Sequence, residues 1–197
     1  MARTQAADYD EKQASITAHA AKLFARYGFG GASISELASS CGVSKSLIYH
    51  YYSSKEQILY AVMIEHMTAL IEVLDTDHYK GLTPDETLRE FARRLLRRYV
   101  GEADSQRVLL YELDYLPEGQ RAEIKGMQRQ LIDFAELQLA RVNPASTEQR
   151  AALRSRVMLF FGMLNWTHTW LKPGGVIDRD TIADLASGIT IDAVRKS

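Results

Sequence analysis

The sequence is poor in the residues that mark secreted and membrane proteins. It contains one cysteine, Cys41, among 197 residues, so no disulfide can form within the chain and a disulfide-stapled secreted scaffold is excluded. No segment approaches the roughly 18 consecutive apolar residues of a membrane span. The N-terminus lacks the apolar region of a signal peptide. We therefore expect a cytoplasmic protein that has no membrane partner.

Signatures of metal sites and of catalysis are also missing. The histidines show no paired metal spacing and no Cys/His cluster exists, so we expect no metal ligand. Glycine-rich phosphate motifs and nucleophile elbows are absent. We accordingly predict no catalytic residue and no cofactor. An enzyme, or a helical module that binds a small molecule without binding DNA, remains the alternative from another functional class.

The sequence also lacks an excess of either positive or negative charge. The chain carries 24 Lys and Arg against 25 Asp and Glu, a net charge of −1. Within residues 1–55, six basic residues stand against four acidic ones, which gives +2 and leaves −3 for the remainder. Such an asymmetry fits a small DNA-binding head on an acidic body, although alone it does not predict DNA binding.

The sequence shows apolar residues at helical spacing, together with residues that typically start and end helices. We predict an all-α fold of about nine helices, with a three-helix N-terminal head over residues 1–55 and a helical body over residues 56–197. Thr83-Pro84-Asp85-Glu86 combines a capping threonine, a proline at the first helical position and a capping-box glutamate, so it predicts a helix start. Asn143-Pro144 and Pro173-Gly174-Gly175 predict interruptions between helices. The predicted helices span residues 8–28, 34–41, 45–51, 55–77, 83–101, 103–115, 118–142, 146–171 and 178–195.

The segment SISELASSCGVSKSLIYHYYSSK, residues 33–55, has the punctuation of a helix-turn-helix. Ser33 and Glu36 have the spacing of a capping box, which starts one helix. Gly42 supplies the positive φ of a turn, and Ser44 can then cap a second helix. Ser53 and Glu56 are predicted to cap the next helix in the same way.

The second of these helices presents a polar face. At about 100° per residue, a core-facing Ile48 leaves Ser46, Leu47, Tyr49 and His50 exposed for a major groove. Leu47 suits a thymine methyl, and the polar side chains suit base edges or phosphates. Hydroxyls, amines and helix starts are typical phosphate contacts. The predicted phosphate-contacting residues are Ser33, Ser35, Ser44, Lys45, Tyr51 and Lys55.

Residues 21–59, from the LFARYGF end of the first helix to the Ser-Lys-Glu start of the fourth, resemble the DNA-binding domain of TetR-family transcriptional regulators. The resemblance implies that Ser33, Lys45, Ser46, Tyr49, His50, Tyr51 and Lys55 contact double-stranded DNA. The family often has a small hydroxyl residue at the position of Leu47. The leucine leaves the base preference open.

The predicted helix over residues 146–171 is apolar on two faces, and a helix of this kind must be covered on both. One cover is the body's own core, with or without a ligand cavity, and the other is a second copy of the chain. The predicted homodimer interface consists of Val157, Phe161, Leu164, Ile182, Leu185 and Ile189. The predicted effector pocket consists of Tyr99, Tyr111, Phe134, Met163, Trp166, Trp170, Arg94 and Arg98. The arginines are alternatively a solvated face, and the aromatics alternatively plain core.

The stretches MLFFGMLNWTHTWLKPGG and LLYELDYLPEGQR are similar to the C-terminal domains of TetR-like regulators of fatty-acid, phenylacetate and sterol catabolism, and this resemblance implies an acyl-CoA effector. We thus expect a ligand-responsive repressor that an acyl-CoA thioester releases from a palindromic operator. A multidrug or antibiotic-responsive repressor is the alternative within the family. The sequence does not separate a repressor from an activator.

Overall fold

A computed structural model describes residues 2–144, 150–172 and 174–196, with side chains described from residue 9 onward. Within these ranges the chain forms nine α-helices and no strand, which confirms the predicted all-α fold. Three short 3-10 helices, Glu72–Leu74, Thr76–Tyr79 and Leu113–Tyr115, connect some of them. The α-helices are α1 (Ala2–Gly31), α2 (Ile34–Cys41), α3 (Lys45–Tyr51), α4 (Lys55–Ile71), α5 (Pro84–Arg98), α6 (Ala103–Tyr111), α7 (Glu118–Val142), α8 (Arg150–Trp170) and α9 (Arg179–Arg195).

Several helix ends differ from the predicted ones for identifiable local reasons. α1 continues to Gly31 through an interruption at Gly28, where φ is 73° and ψ is 161°. α4 stops at Ile71 rather than residue 77, because the next residues form 3-10 turns in which the Asp75 carboxylate accepts from the Asp77 amide. α6 likewise gives way to a 3-10 turn after Tyr111. The predicted start of α8, at residue 146, lies outside the described residues.

The chain folds into two compact units. The first unit extends to Met67 and also contains Glu102–Ile124, and the second contains Thr68–Gly101 and the residues from Lys125 onward. This division differs from the boundary predicted between residues 55 and 56. The reason is that α6 packs against α1, so part of the predicted body belongs to the first unit.

The first unit has a continuous apolar core. Phe24 of α1, Leu37 of α2 and Ile48 of α3 are each 1% exposed or less. An 18-residue window within the segment Lys55–Tyr79 has a mean hydropathy of 1.4, which is high enough to resemble a membrane span. However, Ile58 and Met63 of its α-helical part are fully buried, which is the pattern of a core helix in a folded protein.

The second unit is built on α5, α7, α8 and α9. Phe91 of α5 and Phe160 of α8 are fully buried, and α5 packs along α9. Ion pairs line this last contact: Arg93 to Asp184 at 2.7 Å, Arg97 to Asp180 at 2.6 Å and Arg195 to Asp85 at 2.6 Å. Because these pairs are partly exposed, each contributes at most about 1 kcal/mol, and burial of the aromatic core is the main source of stability.

Candidate nucleic-acid interface

α2 begins with the predicted capping box. The Ser33 amide donates to Glu36 Oε2 at 2.9 Å, and the Glu36 amide donates back to Ser33 Oγ at 3.2 Å. The Ser33 hydroxyl also donates to the same carboxylate at 2.7 Å. These hydrogen bonds to the charged form lower the pKa of Glu36. The cap therefore fixes where α2 starts and in which direction it runs.

The turn between α2 and α3 is closed by glycine, as predicted. Gly42 has φ 66° and ψ 31°, the left-handed conformation. Its amide donates to the carbonyl of Ser39 at 3.1 Å, and the amide of Val43 donates to the carbonyl of Ala38 at 2.9 Å. This pair of bonds is the Schellman arrangement, which satisfies the last carbonyls of a helix. Ser44 Oγ then accepts from the Leu47 amide at 3.2 Å and starts α3.

Replacing Gly42 by alanine is expected to destabilise the first unit. A side chain there meets no neighbouring atom within 4 Å, so the whole cost is that of placing a non-glycine residue in the left-handed region. That cost is about 1–2 kcal/mol. Urea unfolding monitored by circular dichroism measures the loss.

Gly42→Asn is the matched control, since asparagine tolerates the left-handed region better than alanine does. We expect Gly42→Asn to recover most of the loss. Equal unfolding midpoints for the alanine variant and the wild type would contradict the assignment of this turn.

α3 places its side chains as the helical angles predict. Ile48 is fully buried, whereas Ser46 and His50 are exposed and Tyr49 is 54% exposed. Leu47 is half-buried at the edge of this face. The exposed face therefore combines hydroxyl, phenol and imidazole groups with an apolar edge, and it is carried by a helix anchored at one residue.

The predicted phosphate contacts fall into two groups. Ser33, Ser35, Ser44 and Lys45 are exposed at or near the starts of α2 and α3. Lys55 is different, because its ammonium donates to the carbonyls of Phe29 at 2.6 Å and Ala32 at 2.8 Å. It therefore holds the end of α1, a role that the spacing in the sequence did not reveal.

Tyr51 lies at the C-terminal end of α3 and packs against α1. Its ring centroid is 4.6 Å from that of Tyr9 and 5.5 Å from that of His50. Tyr9 also approaches His50 edge-on at 6.4 Å. Tyr9 of α1 thus supports the end of the exposed face. No motif or spacing in the sequence marks this residue.

The start of α4 corrects one local prediction. The side chain that caps this helix is Ser54, whose Oγ accepts from the Gln57 amide at 3.3 Å. The predicted cap of Ser53 with Glu56 is wrong by one residue. α4 nevertheless begins at Lys55, as predicted, and Ser54 is the residue directly before it.

The eight residues predicted for the effector pocket do not share one environment. Tyr111 lies in the first unit, whereas the other seven lie in the second. In the second unit the buried Tyr99 donates its hydroxyl to Asn165 at 2.8 Å. Trp166 and Trp170 are 59% and 46% exposed. The two tryptophans are therefore surface residues of α8, which is a correction to their predicted place inside a pocket.

The two predicted arginines differ in their pairing. Arg98 forms an exposed ion pair with Glu72 at 2.5 Å, consistent with a solvated face. Arg94 lies 5.9 Å from the centre of the Tyr79 ring, and its buried Nε has no hydrogen-bond partner among the described residues. Burial raises the pKa of Tyr79 to about 12. Tyr79 and Phe91 each pack on Phe134, at 5.2 and 5.0 Å, so these aromatics form a continuous stack inside the second unit.

A groove of about 520 Å³ lies in the second unit, between the C-terminal end of α7, the N-terminal end of α8 and the C-terminal end of α9. Its floor is apolar, and the buried Glu136 at its rim pairs with Arg150 at 2.9 Å and Arg154 at 2.7 Å. None of the predicted effector residues lines it. The lining consists of Asp133, Glu136, Leu137, Leu139, Ala140, Asn143, Pro144, Arg150, Leu153 and Val194.

The predicted dimer residues of α8 are also corrected. Val157 and Leu164 are fully buried within the chain and Phe161 is 8% exposed, so these three belong to the subunit's own core. Leu185 and Ile189 of α9 are 54% and 60% exposed as predicted, and Ile182 is half-buried. Of the two apolar faces of α8, the face with Val157 and Leu164 is therefore covered by the subunit itself.

An apolar stripe lies on the outer face of α8. The exposed residues recur at helical spacing, and they are apolar or small: Met158, Leu159, Gly162, Trp166 and Trp170. Leu159 is 70% exposed, and a Cβ added at Gly162 meets no atom within 4 Å. The periodicity revealed this stripe in the sequence, but periodicity alone does not say which of two apolar faces is covered by the subunit itself.

The chain matches two protein-family descriptions. Residues 16–62 match "Bacterial regulatory proteins, tetR family", and residues 81–194 match "Tetracyclin repressor-like, C-terminal domain". The chain is also similar to a solved TetR-family transcriptional regulator from Bordetella parapertussis 12822. That match has 34% identity and a TM-score of 0.85, and it covers 91% of this chain and 94% of that one.

Three further similarities have informative names. A crystal structure of AibR in complex with isovaleryl coenzyme A and operator DNA is 27% identical, with a TM-score of 0.76, and covers 90% of this chain and 97% of that one. The transcriptional activator FasR of Mycolicibacterium smegmatis is 26% identical over 89% of this chain and 79% of its own length. The match to the repressor AcnR of Corynebacterium jeikeium is 32% identical but spans only 37% of this chain and 39% of that protein.

Proposed function

Because the chain belongs to the TetR family of transcriptional regulators, we propose that it is a homodimeric repressor which leaves a palindromic operator when an acyl-CoA thioester binds. The two family descriptions name bacterial regulatory proteins and a repressor-like C-terminal domain. The single observation that carries the DNA-binding part is α3, a capped helix whose one buried residue is Ile48 and whose remaining side chains are exposed or half-buried.

In this proposal α3 enters the major groove. Ser46, Tyr49 and His50 exchange hydrogen bonds with base edges, and Leu47 contacts a thymine methyl. Ser33, Ser35, Ser44, Lys45 and Tyr51 contact phosphates around it and set the register. Lys55 contributes in a second way, by holding the turn that precedes α2.

A second copy of the chain is needed for operator recognition. With a formal charge of about +2 over residues 1–55, one head neutralises few phosphates and binds weakly. Two heads related by a two-fold axis read two half-sites about one helical turn, roughly 34 Å, apart. The apolar stripe of α8, together with Leu185 and Ile189 of α9, is the proposed seam, since exposed apolar residues that lie together on a surface are typical of an interface.

The effector class rests on similarity and on the chemistry of the second unit. AibR was crystallised with isovaleryl coenzyme A, and the sequence resembles regulators of fatty-acid, phenylacetate and sterol catabolism. The aromatic stack of Tyr79, Phe91 and Phe134 suits an acyl group. Within the part of the chain that the structure describes, the buried Nε of Arg94 has no hydrogen-bond partner, so a phosphate or carbonyl oxygen of a ligand is a chemically suitable acceptor.

A titration of DNA tests the first part of this proposal. A duplex is selected by the wild-type protein from a random-sequence library, labelled with a fluorophore and titrated at several salt concentrations. We expect specific binding whose affinity falls steeply with salt. If no duplex is enriched, or the selected duplex binds no better than a scrambled one, the regulator function is wrong for this chain.

A panel of ligands tests the effector. Medium- and long-chain acyl-CoAs, isovaleryl-CoA and phenylacetyl-CoA are added to the preformed complex, with the free acids and free CoA as controls. We expect at least one thioester to weaken operator affinity by tenfold or more while the controls leave it unchanged. Release by free acids or by an unrelated drug would instead favour a multidrug-responsive repressor.

A further inference from the structure

Residues 28–32, at the C-terminal end of α1, form a turn that leads into α2. The turn begins with an interruption of the helix at Gly28, and Glu112, directly after α6, caps it. Gly28 has φ 73° and ψ 161°, a conformation open essentially to glycine alone. The helix restarts there, since the Ala32 amide donates to the Gly28 carbonyl at 3.2 Å. The amides just after a helix start have no carbonyl partner within the helix. The first of them, the Phe29 amide, donates to Glu112 Oε2 at 3.0 Å.

The same turn is held from α4 on its carbonyl side. Lys55 Nζ donates to the carbonyls of Phe29 and Ala32 and lies 4.2 Å from the centre of the Phe29 ring. The Phe29 ring also packs on the Tyr115 ring, with centroids 4.9 Å apart. A carboxylate thus caps the amide end of the turn and an ammonium caps its carbonyl end, which is the favourable arrangement for a helix dipole.

The position of this turn decides where the reading helices begin. Ser33, the cap of α2, directly follows Ala32, and the Gly42 turn fixes α3 relative to α2. No flexible linker separates the turn from these helices. Any reorientation of residues 28–32 therefore moves α2 and α3 together.

We propose that Glu112, the residue directly after α6, is a positioning residue for DNA reading, whose carboxylate holds the turn over residues 28–32 in the orientation that the operator requires. This proposal rests on the proposed function. The first half of α6 is anchored separately, because Gln106 is bonded to the buried His66 of α4 at 2.7 Å.

Without the carboxylate the turn samples more orientations, and ordering it on DNA then costs binding free energy. For the full-length dimer with the library-selected duplex, we expect Glu112→Ala to weaken operator binding about tenfold. Hydrogen exchange of the Phe29 amide, measured by NMR, should accelerate at least tenfold. Glu112→Gln keeps an oxygen that accepts from Phe29, so it should bind within threefold of wild type.

Asp114→Ala is the matched control, because its side chain is 90% exposed and pairs only loosely with Arg121, at 3.7 Å. Stoichiometric titration gives the active fraction of each variant, so that a loss of folded protein is not counted as a loss of affinity. Wild-type affinity in Glu112→Ala despite faster exchange at Phe29 would overturn the proposal, as would an equal loss in Asp114→Ala. If the wild type itself selects no duplex, the proposed function fails first and the positioning role fails with it.

Discussion

Replacing both Tyr49 and His50 by alanine is expected to abolish specific operator binding. These side chains form the exposed centre of α3, and Tyr49 is 54% exposed, so their truncation leaves the buried core intact. A well-placed base contact contributes about 1–3 kcal/mol of discrimination. Losing two contacts should weaken binding to the selected duplex by about a hundredfold or more, measured by fluorescence anisotropy. Binding to a scrambled duplex should change little.

Tyr27→Ala is the control for this experiment. Tyr27 lies on α1 of the same unit and is 51% exposed, so it matches Tyr49 in residue type and exposure but lies outside α3. We expect wild-type affinity for this variant. Lys45→Ala should reduce the affinity for the selected and the scrambled duplex alike. The slope of log affinity against log salt concentration should become smaller in magnitude by about one. A double alanine variant that still distinguishes the selected duplex would remove α3 from the reading surface.

Leu159→Asp is expected to convert the dimer into monomers. Leu159 is 70% exposed in the single chain, so the substitution leaves the fold of one subunit unaffected. In the proposed seam the carboxylate would be buried against an apolar partner surface, which costs several kcal/mol when no charge pairs with it. About 4 kcal/mol corresponds to a thousandfold weaker association. Analytical ultracentrifugation measures it, and operator affinity should fall in parallel.

Two other substitutions make this prediction specific to α8. Val100→Asp introduces the same charge at a residue of the second unit that is 56% exposed and lies beyond the end of α5. It should leave the dimer intact. Gly162→Leu adds bulk where the chain itself has open space, so it should block close approach of a partner helix without unfolding the subunit. Dimers that persist in both Leu159→Asp and Gly162→Leu would place the seam elsewhere.

The helix-turn-helix could be read from the sequence because its determinants are local. The Ser33–Glu36 cap, the positive φ of Gly42 and the inward position of Ile48 each depend on residues within one or two turns. Where the end of α4 was placed too late and its cap was assigned to Ser53, the cause was a competing short-range bond. Such a bond is visible only when the path of the chain is known.

The second unit was harder to predict because its determinants are distant in sequence. α8 has two apolar faces, and only the packing of α8 on α9 and on the rest of the unit shows that Val157 and Leu164 are internal while Leu159 and Trp166 are external. The role of Glu112 was hidden for the same reason. Its partner, the Phe29 amide, lies 83 positions away, and no periodicity or spacing connects them.

The measurement that tests the central claim most directly is a hydroxyl-radical and methylation footprint of the wild-type protein on the selected duplex. If two copies of α3 read adjacent major grooves, the footprint should show two symmetric windows. Their centres should lie about 10 base pairs apart on one face of the DNA, with guanine N7 methylation interfering in both. A single unsymmetrical window, or protection confined to the minor groove, would contradict the account.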